Sequence, residues 1–500
     1  MFGNTALPPT IVQVNGTVRE LGNLSSVRIQ QRLSMPDLCE LHYRYPHLPD
    51  NENLVGARLA LEVQSDGLLQ TLFDGEVTAV EYRYPPERAG SGAASNAEIV
   101  FRAYNLLHRL RKHQYVRSFE EFTFKQLATE FCKRHGIDNV HVWENLPADP
   151  WPLLIQHQQT DLEFLVEVAA LEGLYLTLTS GELQAFSLAG RPEQGVELDR
   201  QQLIEARLEV NADYACDRVE VLGWSTPKAA FRRGSAPTSR STQVRDRNVD
   251  VQSVGGSGLR QLVNETAPQE SHARGLAQAE LDWRKSSTIT LWARLAGSAR
   301  LRPGTPVELD GVAKPVAGRF ILTEVNHSIT EEGFFSEISS APPEQIGRPR
   351  GDVATIGVVT QSDDPEQLGR VQVALPAYND IRTGWIPQAM PAAGPKKGLV
   401  CLPDVGDRVL VLLARENPAQ GVVLGGLYGE EQVPDRQLLG DNPFASDRGK
   451  HFTWTTAAGQ RILLNEKGDL LRLENGAGAV IELKGSSVLI KGQRVDFEQI

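Results

Sequence analysis

Histidine side chains can hold a metal or transfer protons, and this sequence has ten of them. His108 and His113 form one close pair, and His135 and His141 form another. Neither spacing matches HExxH or another compact ligand motif, and the basic run 109–112 is typical of a solvated surface. The histidine pattern therefore predicts no metal site.

Other patterns that could support catalysis are equally weak. The glycine-rich stretch 255–258 lacks the following Gly-Lys-Ser/Thr of a phosphate-binding loop, and no Gly-x-Ser-x-Gly elbow joins a strand to a helix. The carboxylates of Glu120-Glu121 and of Glu430-Glu431 are adjacent in sequence, so their side chains diverge. We therefore expect no enzyme in this chain, and no catalytic residue, cofactor or metal.

The composition limits the class of protein. The chain has 500 residues with 63 acidic and 51 basic side chains, which gives a formal net charge of −12. A chain of this length exceeds a single hydrophobic core and predicts about three or four domains. The negative charge repels phosphate backbones and disfavours general nucleic-acid binding, although a local basic patch would still permit it.

The cysteines and the N-terminus indicate where the chain is made. Cys39, Cys132, Cys216 and Cys401 lie far apart with no CxxC pair, which suits a reducing compartment. Residues 1–16 lack the basic start and apolar stretch of a signal peptide, and no segment approaches the about 20 apolar residues that span a bilayer. We expect synthesis in the cytoplasm without a signal peptide, and release or delivery outside the cell by another route.

Residues 1–345 combine strand patterns with a few helices. Capping boxes that begin at Thr123 and Thr160 predict two helices, and a third helix is predicted over 273–284. The stretch 225–266 is rich in Ser, Arg, Gly and Pro and predicts a long surface loop. This part of the chain is therefore expected to be an α+β block.

The sequence pattern changes after the predicted linker 346–350. Short strand patterns repeat over 351–430 and predict a small β-barrel, for which the five-stranded oligonucleotide/oligosaccharide-binding (OB) fold is the candidate. The almost wholly apolar run 409–413 predicts a strand buried on both faces. A second linker is expected over 431–450.

Residues 451–500 repeat a short strand and a glycine-containing turn. Each strand offers only two or so inward apolar side chains, and the segment is too short to bury a core alone, so copies of the chain are expected to supply the missing neighbours. A meander packed on the preceding barrel is the alternative. The apolar residues predicted to form the contact between copies are Ile462, Leu464, Leu471, Leu473, Ile481, Leu483, Val488 and Ile490.

Several motifs of the sequence resemble those of VgrG-like spike proteins. Residues 369–376, GRVQVALP, resemble the GRVKVxFP signature of that family, and residues 402–411, LPDVGDRVLV, resemble its LPxVGDEVLV run. Residues 421–428, GVVLGGLY, are similar to its VxGxLYN ending, and residues 159–165, QTDLEFL, resemble ETDWEFL. The match rests on the order and spacing of these motifs over nearly the whole chain. The residues that carry its best-defined positions are Gly369, Arg370, Pro403, Gly406, Asp407 and Gly425.

The resemblance implies a mainly β architecture. Residues 1–345 would form a hub like that of the phage baseplate, with two barrel-like subdomains, and residues 351–430 would form the OB-fold barrel. Residues 451–500 would form an intertwined, triple-stranded β-helix with the predicted contact residues on its axis. Only residues 431–450 separate barrel and helix, which is too short for an inserted enzyme domain and implies a minimal spike.

The function implied by the resemblance is mechanical. Spikes of this family are homotrimers at the head of contractile injection systems, which include type VI secretion systems, phage tails, tailocins and extracellular injection particles. The trimer would join an Hcp-like hexameric tube protein at the hub end to a PAAR-type tip protein at the C-terminal end, and would puncture the target membrane. Baseplate components and effector cargo are the other expected partners, and no nucleic acid is expected.

The alternative function is that of an OB-fold protein that binds nucleic acid or a glycan. Such a site needs basic side chains and aromatic platforms on one face of the barrel. A strand tryptophan such as Trp385 is more often a core or subunit contact than a stacking platform. The other candidates for such a face are Tyr378, Tyr428, Arg370, Arg382, Lys396, Lys397, Arg408 and Arg415.

Overall fold

The computed structural model contains far more strand than helix. It describes residues 8–19, 21–44, 54–65, 67–84, 98–144, 149–192, 195–225, 230–241, 249–256, 258–345, 351–429, 433, 451–466 and 468–496. The predicted linkers 346–350 and 431–450 therefore lie outside the described residues, apart from position 433. The chain folds into two compact units, Met1–Val405 with Val411–Leu424, and Gly406–Leu410 with Gly425–Ile500.

Residues 8–345, which we call the hub after the expected domain, contain β1–β22 and three helices. Its strands are β1 Thr10–Val14, β2 Thr17–Val18, β3 Asn23–Arg32, β4 Leu38–Arg44, β5 Arg58–Ser65, β6 Leu68–Arg83, β7 Glu98–Tyr104, β8 Arg117–Phe122, β9 Asn139–Val142, β10 Trp151–Gln156, β11 Tyr175–Thr179, β12 Glu182–Phe186, β13 Val196–Asp199, β14 Leu203–Val210, β15 Arg218–Ser225, β16 Ala230–Ala236, β17 Leu259–Thr266, β18 Ile289–Ala296, β19 Pro306–Asp310, β20 Gly318–Ile321, β21 Glu324–Thr330 and β22 Gly333–Ser339. Its helices are α1 Phe124–Arg134, α2 Asp161–Leu171 and α3 Glu270–Thr288.

One large sheet organises the hub. Eleven strands follow the order β14-β18-β22-β21-β3-β4-β7-β6-β5-β1-β2. One hydrophobic cluster, around Ile29 and Phe101, lies on the β3–β7 half, and another, around Leu291 and Val325, lies on the β18–β22 half. These two core clusters lie on one sheet, and no sheet of the described residues closes into a barrel, so the two barrel-like subdomains stay a prediction.

The capping boxes predicted two of the helices correctly. The Thr123 and Thr160 hydroxyls each accept a hydrogen bond from the backbone N–H three residues on, and Gln126 and Glu163 reach back to the cap residues. The apolar faces of α1 and α2 share one core cluster with β8–β12. The third helix, α3, is longer than the predicted 273–284 and begins at Glu270.

The long loop predicted over 225–266 is wrong. β16 and β17 flank β15 in a three-stranded sheet, antiparallel on one side and parallel on the other. The inner face of this sheet packs on α3 through Val219, Val221 and Ala236. The outer face is exposed and mixes polar side chains such as Glu220 and Ser235 with apolar ones such as Phe231 and Val263.

The OB region is one five-stranded sheet. Its strands are β23 Val353–Gln361, β24 Gln372–Leu375, β25 Ile381–Arg382, β26 Arg408–Leu413 and β27 Gly421–Gly426, in the order β25-β24-β23-β26-β27. The prediction that 409–413 is buried on both faces is wrong, because burial alternates: Val409, Val411 and Leu413 are buried while the residues between them are half-buried.

The C-terminal region is a second five-stranded sheet. Its strands are β28 His451–Thr455, β29 Arg461–Asn465, β30 Leu470–Glu474, β31 Val480–Lys484 and β32 Ser487–Lys491. Each strand pairs antiparallel with its neighbours in sequence, so the sheet is a meander within one chain. The intertwining with two further copies stays a prediction.

Candidate functional site

The turns of the C-terminal sheet hold its strands in one register. The Asn475 side chain accepts hydrogen bonds from the backbone N–H groups of Ala477 and Ala479, at 3.1 and 2.8 Å. Gly478 in the same turn has φ +85°, a left-handed conformation that glycine adopts without strain. The Asn465 side chain accepts in the same way from Gly468 N–H at 3.0 Å. Because side chains alternate between faces, this register decides which residues share a face.

One face of the C-terminal sheet is wholly apolar. Its side chains form two ladders that cross all five strands, and each rung lies directly opposite the next. We call this surface the apolar face. The first ladder is Phe452, Leu464, Leu471, Leu483 and Val488, and the second is Trp454, Ile462, Leu473, Ile481 and Ile490.

The apolar face is uncovered in the single chain. Eight of its ten side chains are between 41% and 66% exposed, and only Ile462 and Leu471 are half-buried. Monomeric soluble proteins rarely expose a contiguous apolar patch of this kind. This face therefore has the character of an association surface.

The opposite face of the same sheet is different in character. Arg472 at its centre pairs with Glu482 across the strand boundary and with Glu474 on its own strand, both at 3.2 Å. Thr453, Lys484 and Lys491 also lie on this face by register, with a few scattered leucines such as Leu489. The sheet is thus amphipathic, with the charged face suited to water.

All eight residues predicted to form the contact between copies lie on the apolar face. The sequence analysis missed Phe452 and Trp454, which extend both ladders by one rung on β28. Their alternation about Thr453 was the available signal. The face is therefore larger than predicted and ends in two aromatic side chains.

The family-motif residues have structural roles at turns of the OB region. Gly369 has φ +73°, Gly406 has φ +96° and Gly425 has φ +158°, all conformations that favour glycine. Arg370 is buried and pairs with Asp364 at 2.7 Å. Pro403 and Asp407 are half-buried and lie in the otherwise exposed segment before β26. These residues support the fold of the domain.

Three of the basic and aromatic residues of the OB region have partners within the fold. Arg370 forms an ion pair with Asp364 at 2.7 Å, and Arg415 pairs with Glu265 of the hub at 2.9 Å. The Tyr378 ring is buried and lies edge-on to His157 at 5.7 Å. These commitments to the fold weaken the alternative of a nucleic-acid or glycan site.

The histidines singled out by spacing also serve the fold. His108 contacts Glu76 at 2.9 Å, and burial lowers the pKa of this imidazole. The hydrogen bond from Arg109 lowers the pKa of Glu76. His135 contacts the buried Asp161 at 3.0 Å, and its spacing to His141 is not that of a ligand pair. Within the described ranges, no group of three His, Cys, Asp or Glu residues could hold a metal.

Comparison with protein families gives two matches. Residues 355–428 match the type VI secretion system/phage-baseplate injector OB domain, and residues 102–331 match the Alg8 N-terminal domain. No curated protein matches the chain significantly. In the part of the chain that the structure describes, no helix is long and apolar enough to cross a membrane.

Solved structures of injection-system proteins share the fold. A component of the Escherichia coli type VI secretion system, c3393, described as similar to phage T4 tail proteins gp27 and gp5, superposes with a TM-score of 0.53 at 13% identity, covering 83% of this chain and 99% of its own. A chain of the Francisella PdpA–VgrG complex gives 0.56 at 7% identity, covering 98% and 89%. The 43 kDa tail protein of Shewanella oneidensis prophage MuSo2 gives 0.50 at 16% identity, covering 67% and 98%.

The OB-domain match and the shared fold define the class of protein. The fold is that of VgrG-like and phage-baseplate-hub-like spike proteins, which confirms the resemblance drawn from the sequence motifs. The similarities support a role as a tail spike or hub within a multi-protein injection assembly.

Proposed function

We propose that the chain is the trimeric central spike of a contractile injection system. In this proposal the hub end binds the hexameric tube protein, the C-terminal end carries a PAAR-type tip protein, and sheath contraction drives the assembly through the target membrane. The chain itself supplies no catalysis and needs no cofactor or metal. Baseplate components and effector cargo are its remaining partners.

The apolar face is the observation that carries the proposal. Its ten side chains cross five strands in register, so three copies that turn these faces toward one axis would bury a continuous apolar core. The charged face with Arg472 and Glu482 would then lie outside, in water. Such burial also offsets the weakness of a short sheet that cannot enclose a core alone.

The mechanical role follows from this arrangement. A sheet whose backbone groups are paired along its length and whose apolar face is buried resists bending and local unfolding. Such a rod at the head of a contracting machine concentrates force on a small membrane area. The hub sheet, which carries two core clusters in each chain, would present a sixfold-like surface to the tube when three copies assemble.

The mass of the purified full chain in solution tests the proposal. Multi-angle light scattering is expected to give three times the chain mass of 55.0 kDa. A monomer would show that the apolar face does not join copies of the chain. A dimer would indicate that two sheets pack face to face instead of three around one axis. Either result would overturn the trimeric spike.

A further inference from the structure

Among the residues that the structure describes, two strand edges of the hub carry no partner strand. β14 is the end strand of the eleven-stranded sheet and pairs only with β18. The second edge is the last part of β6: β5 pairs with β6 only as far as Glu76, whereas β7 continues to Arg83. Among the described residues, no strand pairs with the outer edge of β14 or of 78–83. An edge of this kind is a template for a strand from another chain.

The two open edges have the directions needed to meet each other. Eight strands lie between them inclusive, in the order β14-β18-β22-β21-β3-β4-β7-β6, and every neighbouring pair is antiparallel. Because the number is even, β14 and β6 run in opposite directions. A copy whose β14 docks beside β6 of its neighbour therefore continues the antiparallel alternation.

The charges on the two edges are complementary in one register. Glu205 and Arg207 of β14 lie on the same face of the sheet as Glu81 and Arg83 of β6, as the register across the eight strands shows. Placing Glu205 opposite Arg83 also places Arg207 opposite Glu81. A shift of two residues in either direction puts like charges opposite each other, Glu205 on Glu81 or Arg207 on Arg83. Opposite charges on facing strands stabilise the pair, and like charges destabilise it.

The same register also matches the apolar side chains on the other face. Leu208 of β14 falls opposite Val80 of β6, and Ala206 falls opposite Tyr82. Leu208 and Val80 are half-buried at the margins of the two hub core clusters, and Tyr82 is 53% exposed. Joining the edges would extend both clusters across the boundary between copies.

We infer that β14 of one copy pairs antiparallel with residues 78–83 of β6 in the next copy, with Arg207 opposite Glu81. This heterologous contact repeats head to tail and closes a ring when three copies are present. The inference rests on the proposed trimer and specifies which surfaces join neighbouring hubs. It makes the eleven-stranded sheets of the copies one continuous wall.

Disulfide cross-linking of the full chain tests this pairing. In a Cys401→Ser background, which removes the exposed native thiol, Ala79→Cys and Glu209→Cys are combined, because the register places these positions directly opposite each other between copies. Mild oxidation is expected to give covalent dimers and trimers on a non-reducing gel. The matched control combines Ala79→Cys with Arg207→Cys, which is displaced by two residues and is expected to give no cross-link.

The outcomes distinguish failure of the edge pairing from failure of the proposed trimer. A trimer by light scattering that forms no cross-link with the first pair overturns the edge pairing and leaves the proposed spike intact. Cross-linking of the control pair instead overturns the register. A monomer by light scattering overturns both the spike and the pairing.

Discussion

Asp364 and Arg370 form a buried, two-point ion pair in the turn that precedes β24. The Asp364 carboxylate accepts from Arg370 Nε at 2.9 Å and Nη2 at 2.7 Å, and from the backbone N–H groups of Glu366 and Leu368 at 3.1 and 2.9 Å. The Arg370 guanidinium, followed by these N–H groups, holds the pKa of Asp364 well below its usual range. The arginine of the family motif is therefore a structural residue.

Replacing Asp364→Asn is expected to lower the free energy of unfolding by about 3 kcal/mol, because it leaves the buried Arg370 without its principal counter-charge. Calorimetry of the full chain measures this loss. The control is Glu366→Gln, which removes a carboxylate 3.2 Å from the same arginine but 52% exposed. Screening by water limits that effect to less than about 1 kcal/mol. Equal losses in the two variants would contradict the assignment.

The same pair predicts a pH dependence. Asp364 has a lowered pKa in the folded state, so its contribution to stability is present above the unfolded pKa of about 4 and is lost as the pH falls toward the folded value. The wild-type chain and the Asp364→Asn variant should differ in melting temperature at pH 7 and converge in strong acid. If the two melting temperatures differ by the same amount at every pH, ionisation of Asp364 is not the source of the difference.

Leu473→Asp is expected to prevent assembly of the spike. Leu473 lies in the middle of the second ladder, and each copy would bring one carboxylate into the shared apolar contact. An ionised carboxylate buried without a partner costs several kcal/mol. Light scattering should report a loss of the trimer.

The matched control for this variant is Leu489→Asp. Leu489 is also an exposed leucine of the same sheet, 52% against 41% for Leu473, but it lies on the charged face opposite Glu482. This variant should remain a trimer. A trimer with Leu473→Asp, or loss of the trimer in both variants, would show that the apolar face is not the contact.

Short sequence motifs correctly predicted those features of the fold that depend on residues close together in the chain. The capping boxes at Thr123 and Thr160 and the apolar alternation from Ile462 onward each depend on residues a few positions apart, and the structure places them as predicted. Long-range pairing was not predictable in this way. β15 pairs parallel with β17, and β16 lies between them in sequence but not in the sheet. No motif in 225–266 indicates this pairing or the packing of the sheet on α3. The open edges of β14 and β6 likewise appear only when the order of strands in the sheet is known.

Gly234→Ala is expected to destabilise the hub. A Cβ at position 234 would lie 2.2 Å from the Ala273 carbonyl carbon and 2.4 Å from its oxygen, so β16 or α3 must move. Overpacking against backbone atoms costs about 1–3 kcal/mol. Urea unfolding measures the change. Ser235→Ala on the exposed face of the same strand should change the stability by less than about 0.5 kcal/mol, and equal stability of both variants would disprove the close contact.

Two buried histidines should make the hub less stable in acid. His272 is 2% exposed, with its ring 4.0 Å from that of Trp151, and burial lowers its pKa to about 4. His327 is 1% exposed, hydrogen-bonded to Ser336 at 2.8 Å, and burial lowers its pKa to about 3. Because the unfolded chain binds these protons near pH 6.5, stability is complete above that pH and falls as the pH drops toward 4.

The variant His272→Gln isolates this effect, since glutamine is polar and does not titrate. At pH 7 the variant loses packing and is less stable than the wild-type chain. Between pH 6.5 and 4 the wild-type chain should lose up to about 1.4 kcal/mol per pH unit more than the variant, the slope of one proton. Urea unfolding at several pH values measures the two slopes. Identical slopes would mean that the imidazole is already solvated in the folded hub, because only an imidazole kept neutral by burial produces the difference.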